Sequence, residues 1–264
     1  MPDHEIDVGL GAVLIARDAY PDLDIERTLG RFDELAQPLQ TLDLSRAAPP
    51  TQASCLREHL HGACGFNGNE HDYYDTRNSL ISDVLDRRLG IPITLSVVYC
   101  EVAKRANVMA RGVSFPGHFL VRIDAENEEP LVVDPFFGCR TLGERDLSEL
   151  YAKAMGATAT LPPDALAPAA PRAILQRMLV NLRAVYLSRG DMARAMLAID
   201  RILCLTPDAT EPLRERGLLS ARLGAREQAL ADLERFLELA PNAEDAPQIR
   251  AHVAELKKES TRLN

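Results

Sequence analysis

The chain has 264 residues, 46% of them hydrophobic, enough to bury a core in one large domain and a smaller companion. Its formal net charge of -9 comes from 39 acidic and 30 basic residues scattered along the chain, which leaves no basic stripe for a phosphate backbone and argues against a direct nucleic-acid ligand. No run of about 18 apolar residues is present to span a bilayer, and the opening MPDHEIDVGLGAVLIARDAYPDLD is acidic on both sides of a short apolar stretch, unlike a basic leader, so the expectation is a soluble cytoplasmic protein.

Apolar residues recur at helical spacing from Ile6 to about Leu39, with a break at Tyr20-Pro21-Asp22, which predicts two N-terminal helices. Pro49-Pro50 precede a third, from Thr51 to about His61, and GFNGNEHDYYDTRNS then supplies the residues of an ordered loop. Ser79–Arg88 and Ile93–Arg105 carry helical periodicity on either side of Gly90-Ile91-Pro92, a sequence that ends one helix and starts the next. The second of these is apolar over most of its circumference, as a central buried helix would be.

From Arg111 the pattern turns to strands: Gly112 to Phe115, His118 to Ile123, and Leu131 to Asp134. Helices first and antiparallel strands afterwards predict an α+β core. The Ala- and Pro-rich residues 157–172 read as a linker between a first domain, 1–156, and a second, 173–264. In the second domain, Leu179, Gly190 and Ala195 recur as Leu213, Gly224 and Ala229 at a constant offset of 34, with Pro207 and Pro241 as stops. That is the period of a tetratricopeptide repeat, and it predicts two all-α repeats plus a capping helix from Ala246 to Leu263. Arg183 and Ser220 depart from the motif, which favours Gly and Tyr there.

Five cysteines, Cys55, Cys64, Cys100, Cys139 and Cys204, form no CxxC pair and are expected to be reduced thiols. If the last two strands pair symmetrically about Asn127, Leu120 faces Asp134 and His118 falls diagonally across from that carboxylate, about 7 to 8 Å away at the backbone. The alternative is a His satisfied by a backbone group and an Asp that ends a strand before Pro135. A thiolate at the N-terminus of the preceding helix would complete a Cys-His-Asp arrangement. That turn instead reads Pro92-Ile93-Thr94-Leu95-Ser96; Thr94 or Ser96 would be a weak nucleophile dependent on its base, and Cys100 lies on another face as a packed thiol.

His59, His61, Cys64, His71, Asp72 and Asp75 carry metal-ligating groups at spacings that match no compact signature, so no metal and no cofactor is expected. In DYYDTRNS, Asp75, Arg77 and Asn78 read as turn and capping residues. The loop could also border a cleft, which makes Tyr74, Arg77 and Asn78, with Ser96, the candidate binding residues.

GNEHDYYDTRNSLISDVLDRRLGIPITLSVVYCEVAKR, GVSFPGHFLVRI, LVVDPFFGCRTL and RMLVNLRAVYL together resemble the bacterial SirB-type family, in which a transglutaminase-like domain precedes tetratricopeptide repeats. The resemblance runs from about Asp7 to Leu256. It implies a papain-like α+β core in which His118 and Asp134 match the His and Asp of the transglutaminase triad, in a family named for a proposed regulatory role in virulence-gene expression. The nucleophile position holds no Cys. The expected function is therefore a non-catalytic or regulatory module that binds a protein or peptide in its former active-site cleft; the alternative is an amide hydrolase or acyl transferase using Thr94 or Ser96 with His118 and Asp134.

Overall fold

The computed structural model describes residues 2–125 and 129–262, the last four of these as backbone only. The chain divides into two compact units, Met1–Met178 and Leu179–Asn264.

The first unit opens with α1 (Val8–Ala19) and α2 (Ile25–Gln40), each started by an aspartate: the Asp7 side chain accepts from the Leu10 amide and Asp24 from that of Arg27. The helix expected from Thr51 begins earlier, on the proline pair, as α3 (Pro49–Arg57), and then widens into a π-helical turn, Glu58–Ala63. Helix α4 (Ile81–Arg87) is shorter at both ends than its periodicity suggested, because Arg88 adopts a left-handed conformation (φ 62°) that stops it. Short β1 (Asn67–Gly68) and β2 (Leu89–Gly90) flank α4 and pair in parallel, so Gly90 belongs to a pairing as well as to a break.

Helix α5 (Pro92–Arg105) is the centre of this unit. Only Cys100, Lys104 and Arg105 escape burial along it, and it packs on α1, α2 and α4 and on the sheet. Gly9 permits the approach of α1: a Cβ there would lie 2.7 Å from the Glu101 carboxyl carbon. The sheet runs β3 (Ala110–Val113), β4 (Leu120–Ile123), β5 (Leu131–Asp134), β6 (Arg140–Leu142), antiparallel throughout. Val121 faces Val133 and Arg122 faces Val132, the register that symmetry about Asn127 requires, although Asn127 itself lies outside the described residues. His118 is not inside a strand as expected. Gly117, at φ 66°, turns the chain and leaves His118 in the bend two residues before β4.

Strand β6 and helix α6 (Glu144–Met155) have no counterpart among the expected elements. The Gly143 amide donates to Asp146 Oδ2 at 2.9 Å and starts α6. Residues 157–172 are not a free linker either. Ala169 N–H donates to Gly112 O at 2.8 Å and Arg122 donates to Leu166 O at 2.8 Å, while Leu161, Ala165 and Leu166 pack on the cluster of Val113, Phe115, Leu120, Val132, Leu142 and Leu147. The stretch thereby covers the free edge of β3, whose backbone groups need partners. The division between units falls instead within α7 (Pro171–Ser188).

The second unit continues with α8 (Met192–Leu205), α9 (Thr210–Arg222), α10 (Arg226–Leu239) and α11 (Ala246–Arg262). Leu263, the expected end of the capping helix, lies outside the described residues. The offset of 34 is visible in the backbone: Gly190 and Gly224 end their helices at φ 72° and 77°, and Ala195 and Ala229 are both fully buried. Ile199, Leu203, Leu213, Leu233, Phe236 and Ile249 are among the residues of its core. Among the described residues no helix is long and apolar enough to cross a membrane.

Candidate functional site

A loop, a helix N-terminus and a hairpin converge on one cleft. The loop is held by Asn78, which is fully buried. Its Nδ2 donates to the main-chain oxygens of Asp72 (2.7 Å) and Tyr73 (3.2 Å), and its Oδ1 accepts from Asn69 Nδ2 (3.0 Å) and Arg87 (3.2 Å). A buried amide with donors and acceptor all used has none left for a ligand. Arg77 forks onto Asp75, with Nη2 to Oδ2 at 2.7 Å and Nε to Oδ1 at 3.1 Å, and Arg87 reaches the same carboxylate at 3.2 Å. The Arg77 hydrogen bond comes first in holding the Asp75 carboxyl below its ordinary range, against burial.

The helix N-terminus is fastened to that loop. Thr94, fully buried, donates from Oγ1 to Asn78 O at 2.7 Å, with Ile91 O 3.1 Å away, and accepts from the Ile91 amide at 3.1 Å. Ser96, also fully buried, has Oγ 3.5 Å from Phe119 O. Both hydroxyls are turned to backbone carbonyls, which weighs against the alternative reading of either as a nucleophile beside His118.

The hairpin brings the imidazole to its carboxylate. His118 Nε2 lies 2.9 Å from Asp134 Oδ1, with the two side chains 8% and 1% exposed. The contact is close but not aligned, since neither Nε2 nor Asp134 Oδ2 makes a hydrogen bond of acceptable geometry. Asp134 Oδ1 also accepts from the amides of Phe136 (3.1 Å) and Phe137 (3.4 Å), so this carboxylate shapes the turn that follows it. Phe137 stacks on the imidazole and Phe136 meets it edge-on, with centroids 6.0 and 6.1 Å away. With Nε2 facing Asp134, Nδ1 is the nitrogen left for the cleft.

That cleft has a volume of about 490 Å³. Its walls are Tyr73, Pro92, His118, Phe136 and Phe137, with Glu70 and Lys153 also on the lining. Among the described residues no Ser, Thr or Cys lines it. The Tyr73 phenol is its one side-chain hydroxyl, and burial followed by the neighbouring Tyr74 pushes its pKa up, away from nucleophilic ionisation. Of the candidate binding residues, Tyr74 at 70% exposure and the exposed Arg77 are not on the lining, while Asn78 and Ser96 are fully buried behind it. Tyr73 takes the place expected of Tyr74.

Among the described residues no thiol is hydrogen-bonded to His118. Burial, and then the Asp134 charge, push Cys139 up to about 12, and desolvation raises the half-buried Cys100. Cys64 Sγ lies 3.7 Å from His59 Nε2, but that nitrogen is 2.7 Å from Leu35 O and must donate to it, so its lone pair is not available to a thiol proton. His61 similarly meets Phe66 O at 3.1 Å. Among the described residues no three His, Cys, Asp or Glu side chains are grouped to hold a metal.

One functional contributor escaped the sequence reading. Arg177, assigned there to the second domain, donates to His118 O (2.8 Å) and Ser114 Oγ (2.7 Å) and lies over Phe119 at 5.5 Å, thereby fixing the turn that carries the imidazole. Its signal is only a polar residue on an apolar helical stripe, which does not name a partner.

Residues 26–180 match the transglutaminase-like superfamily and residues 182–254 match the tetratricopeptide repeat, a module that generally mediates protein–protein interaction. A UPF0162 protein of Xylella fastidiosa strain Temecula1 is 42% identical over 257 residues, covering 94% of this chain and 89% of that protein. A UPF0162 protein of Pseudomonas aeruginosa is 29% identical, over 95% and 91% of the two chains, and the UPF0162 protein YchA of Escherichia coli K12 is 27% identical, over 92% and 89%. The chain belongs to the UPF0162 family, in which a transglutaminase-like domain is followed by tetratricopeptide repeats.

Proposed function

We propose that this protein is a non-catalytic, regulatory binding module whose transglutaminase-like cleft takes a peptide segment of a partner protein. The observation that carries the reading is the pairing of His118 with Asp134 in a cleft whose lining offers neither a thiol nor an aliphatic hydroxyl. A nucleophile must lie within hydrogen-bond reach of its base, and the two hydroxyls of the helix N-terminus are committed to Asn78, Ile91 and Phe119 carbonyls. What remains is suited to recognition: aromatic faces for an apolar side chain and an imidazole nitrogen for a backbone amide. The repeats supply a further surface for a protein partner.

The test pairs binding with turnover. Wild-type protein and the His118→Ala and Phe137→Ala variants are applied to a tiled peptide array, and bound peptides are then incubated with wild type and followed by mass spectrometry. Selective capture that both variants lose, with every peptide recovered intact, is expected. Cleavage or amide exchange that disappears in His118→Ala would establish the enzyme reading instead, and an array without selective capture removes the binding one.

A further inference from the structure

A second cavity, of about 300 Å³, lies on the side of the first unit formed by α2, the π-helical turn and the end of α4. Arg31, Glu34, Leu35, Pro38, His59, Cys64 and Arg88 line it. Its two guanidinium groups are held very differently. Arg31 is paired with Asp86, Nη1 to Oδ1 at 2.6 Å. Arg88 forms no ion pair among the described residues: its guanidinium lies 4.6 Å above the Phe66 ring, and its Nη1 is buried with no hydrogen-bond partner. The backbone under it is in the left-handed region, unusual for a residue with a long side chain.

A desolvated cation beside a second cation is costly unless an anion joins it. Burial first, and then repulsion from Arg31, weaken the hold of Arg88 on its proton, outweighing the opposite pull of Cys64 and of the Asp86 carboxylate. Glu34, the only carboxylate on the lining among the described residues, is exposed to solvent and therefore screened. His59 is tied to Leu35 O and offers no competing negative group. Leu35 and Pro38 give the cavity an apolar wall, and its volume exceeds that of a bare oxyanion.

We propose that this cavity is a binding site for a small organic ligand bearing one oxyanion group, a carboxylate or a phosphate monoester, seated on Arg88 with Arg31 beside it. The site is separate from the His118 cleft and does not depend on the function proposed for that cleft. Cys64, which lines the cavity, supplies a reporter.

The experiment follows alkylation of Cys64 by iodoacetamide, read by peptide mass spectrometry, in the full chain at constant ionic strength with added inorganic phosphate, propionate or chloride. Thermal unfolding is recorded with the same additions, so that a slowly reacting Cys64 does not leave the question open. At a probe concentration about ten times its Kd, alkylation is expected to slow about tenfold, because protection scales as 1 + [L]/Kd, and the melting temperature to rise. Phosphate alone acting identifies a phosphate site, and propionate alone a carboxylate site. Both effects should vanish in Arg88→Gln and weaken in Arg31→Gln; should Arg88→Gln fail to fold, Arg31→Gln decides. Absence of protection and of a thermal shift with both oxyanions overturns the proposal, as does equal protection in the wild type and the arginine variants.

Discussion

Thr94 Oγ1 donates to Asn78 O at 2.7 Å, across sixteen residues of sequence. Asn78 in turn holds the main-chain oxygens of Asp72 and Tyr73. The hydroxyl at the N-terminus of α5 is thus the far end of a chain of bonds that places the Tyr73 ring on the cleft wall. A residue type that suggests nucleophilic chemistry serves here as a strut between helix and loop.

Replacing Thr94 with Val keeps the shape but leaves the Ile91 amide only its long bond to Asn78 O, at 3.4 Å, and takes the hydroxyl donor from that carbonyl. Stability measured by urea unfolding should fall by about 1–3 kcal/mol, the cost of buried groups left unpaired. Thr94→Ser should recover most of the loss, because it restores the oxygen. A loss in Thr94→Ser with none in Thr94→Val would mean that the methyl group, not the hydroxyl, matters.

Arg177 acts on the imidazole through the backbone of residues 114–118. Arg177→Met retains the apolar stem over Phe119 and removes the donors. Amide hydrogen exchange at His118 and Phe119 should accelerate selectively, with the exchange of α5 amides unchanged, since local opening is set by the bonds that close each segment. Uniform acceleration across the unit would show general destabilisation instead.

The Asp75 carboxyl is held below its ordinary range by Arg77 and Arg87. A group depressed in the fold contributes stability above its unfolded pKa and loses it as pH falls through the lower folded value. Asp75→Asn, which keeps an acceptor for the Arg77 amide, should therefore be less stable than wild type at neutral pH, and the difference should shrink below the ordinary carboxylate range. Chemical unfolding at a series of pH values gives this curve; a difference that stays constant with pH would rule out the linkage.

In the repeats, Ser220 is fully buried and its Oγ has no hydrogen-bond partner. Ser220→Ala should be neutral or stabilise by up to about 1 kcal/mol, an uncommon sign for a buried substitution. Gly217 is the opposite case, because an added Cβ would fall 2.7 Å from Leu233 Cγ and Cδ2. Gly217→Ala should cost about 1–3 kcal/mol by overpacking. Thermal unfolding of the full chain separates the two signs.

Periodic segments carried their own instructions. The offset of 34 placed Gly190 with Gly224 and Ala195 with Ala229, and those pairs share their φ and their burial, because helix spacing dictates which positions face inward and where a left-handed residue must end a helix. Strand alternation likewise gave the register that opposes Val121 to Val133, since a hairpin leaves few registers that keep one face apolar, whereas the bend at Gly117 carries His118 to the carboxylate.

Aperiodic segments did not. Whether Tyr73 or Tyr74 turns to the cleft, whether Thr94 faces a ligand or Asn78, and whether the Ala- and Pro-rich stretch joins units or covers β3 were decided by bonds to residues distant in sequence. A loop has no repeat to assign a direction to its side chains; only its tertiary partners do. Sequence by itself determined most of the helices and the repeats, and offered the meeting of His118 with Asp134 as one of two readings. Tertiary structure decided what surrounds that pair, because a buried polar group goes where a backbone partner stands.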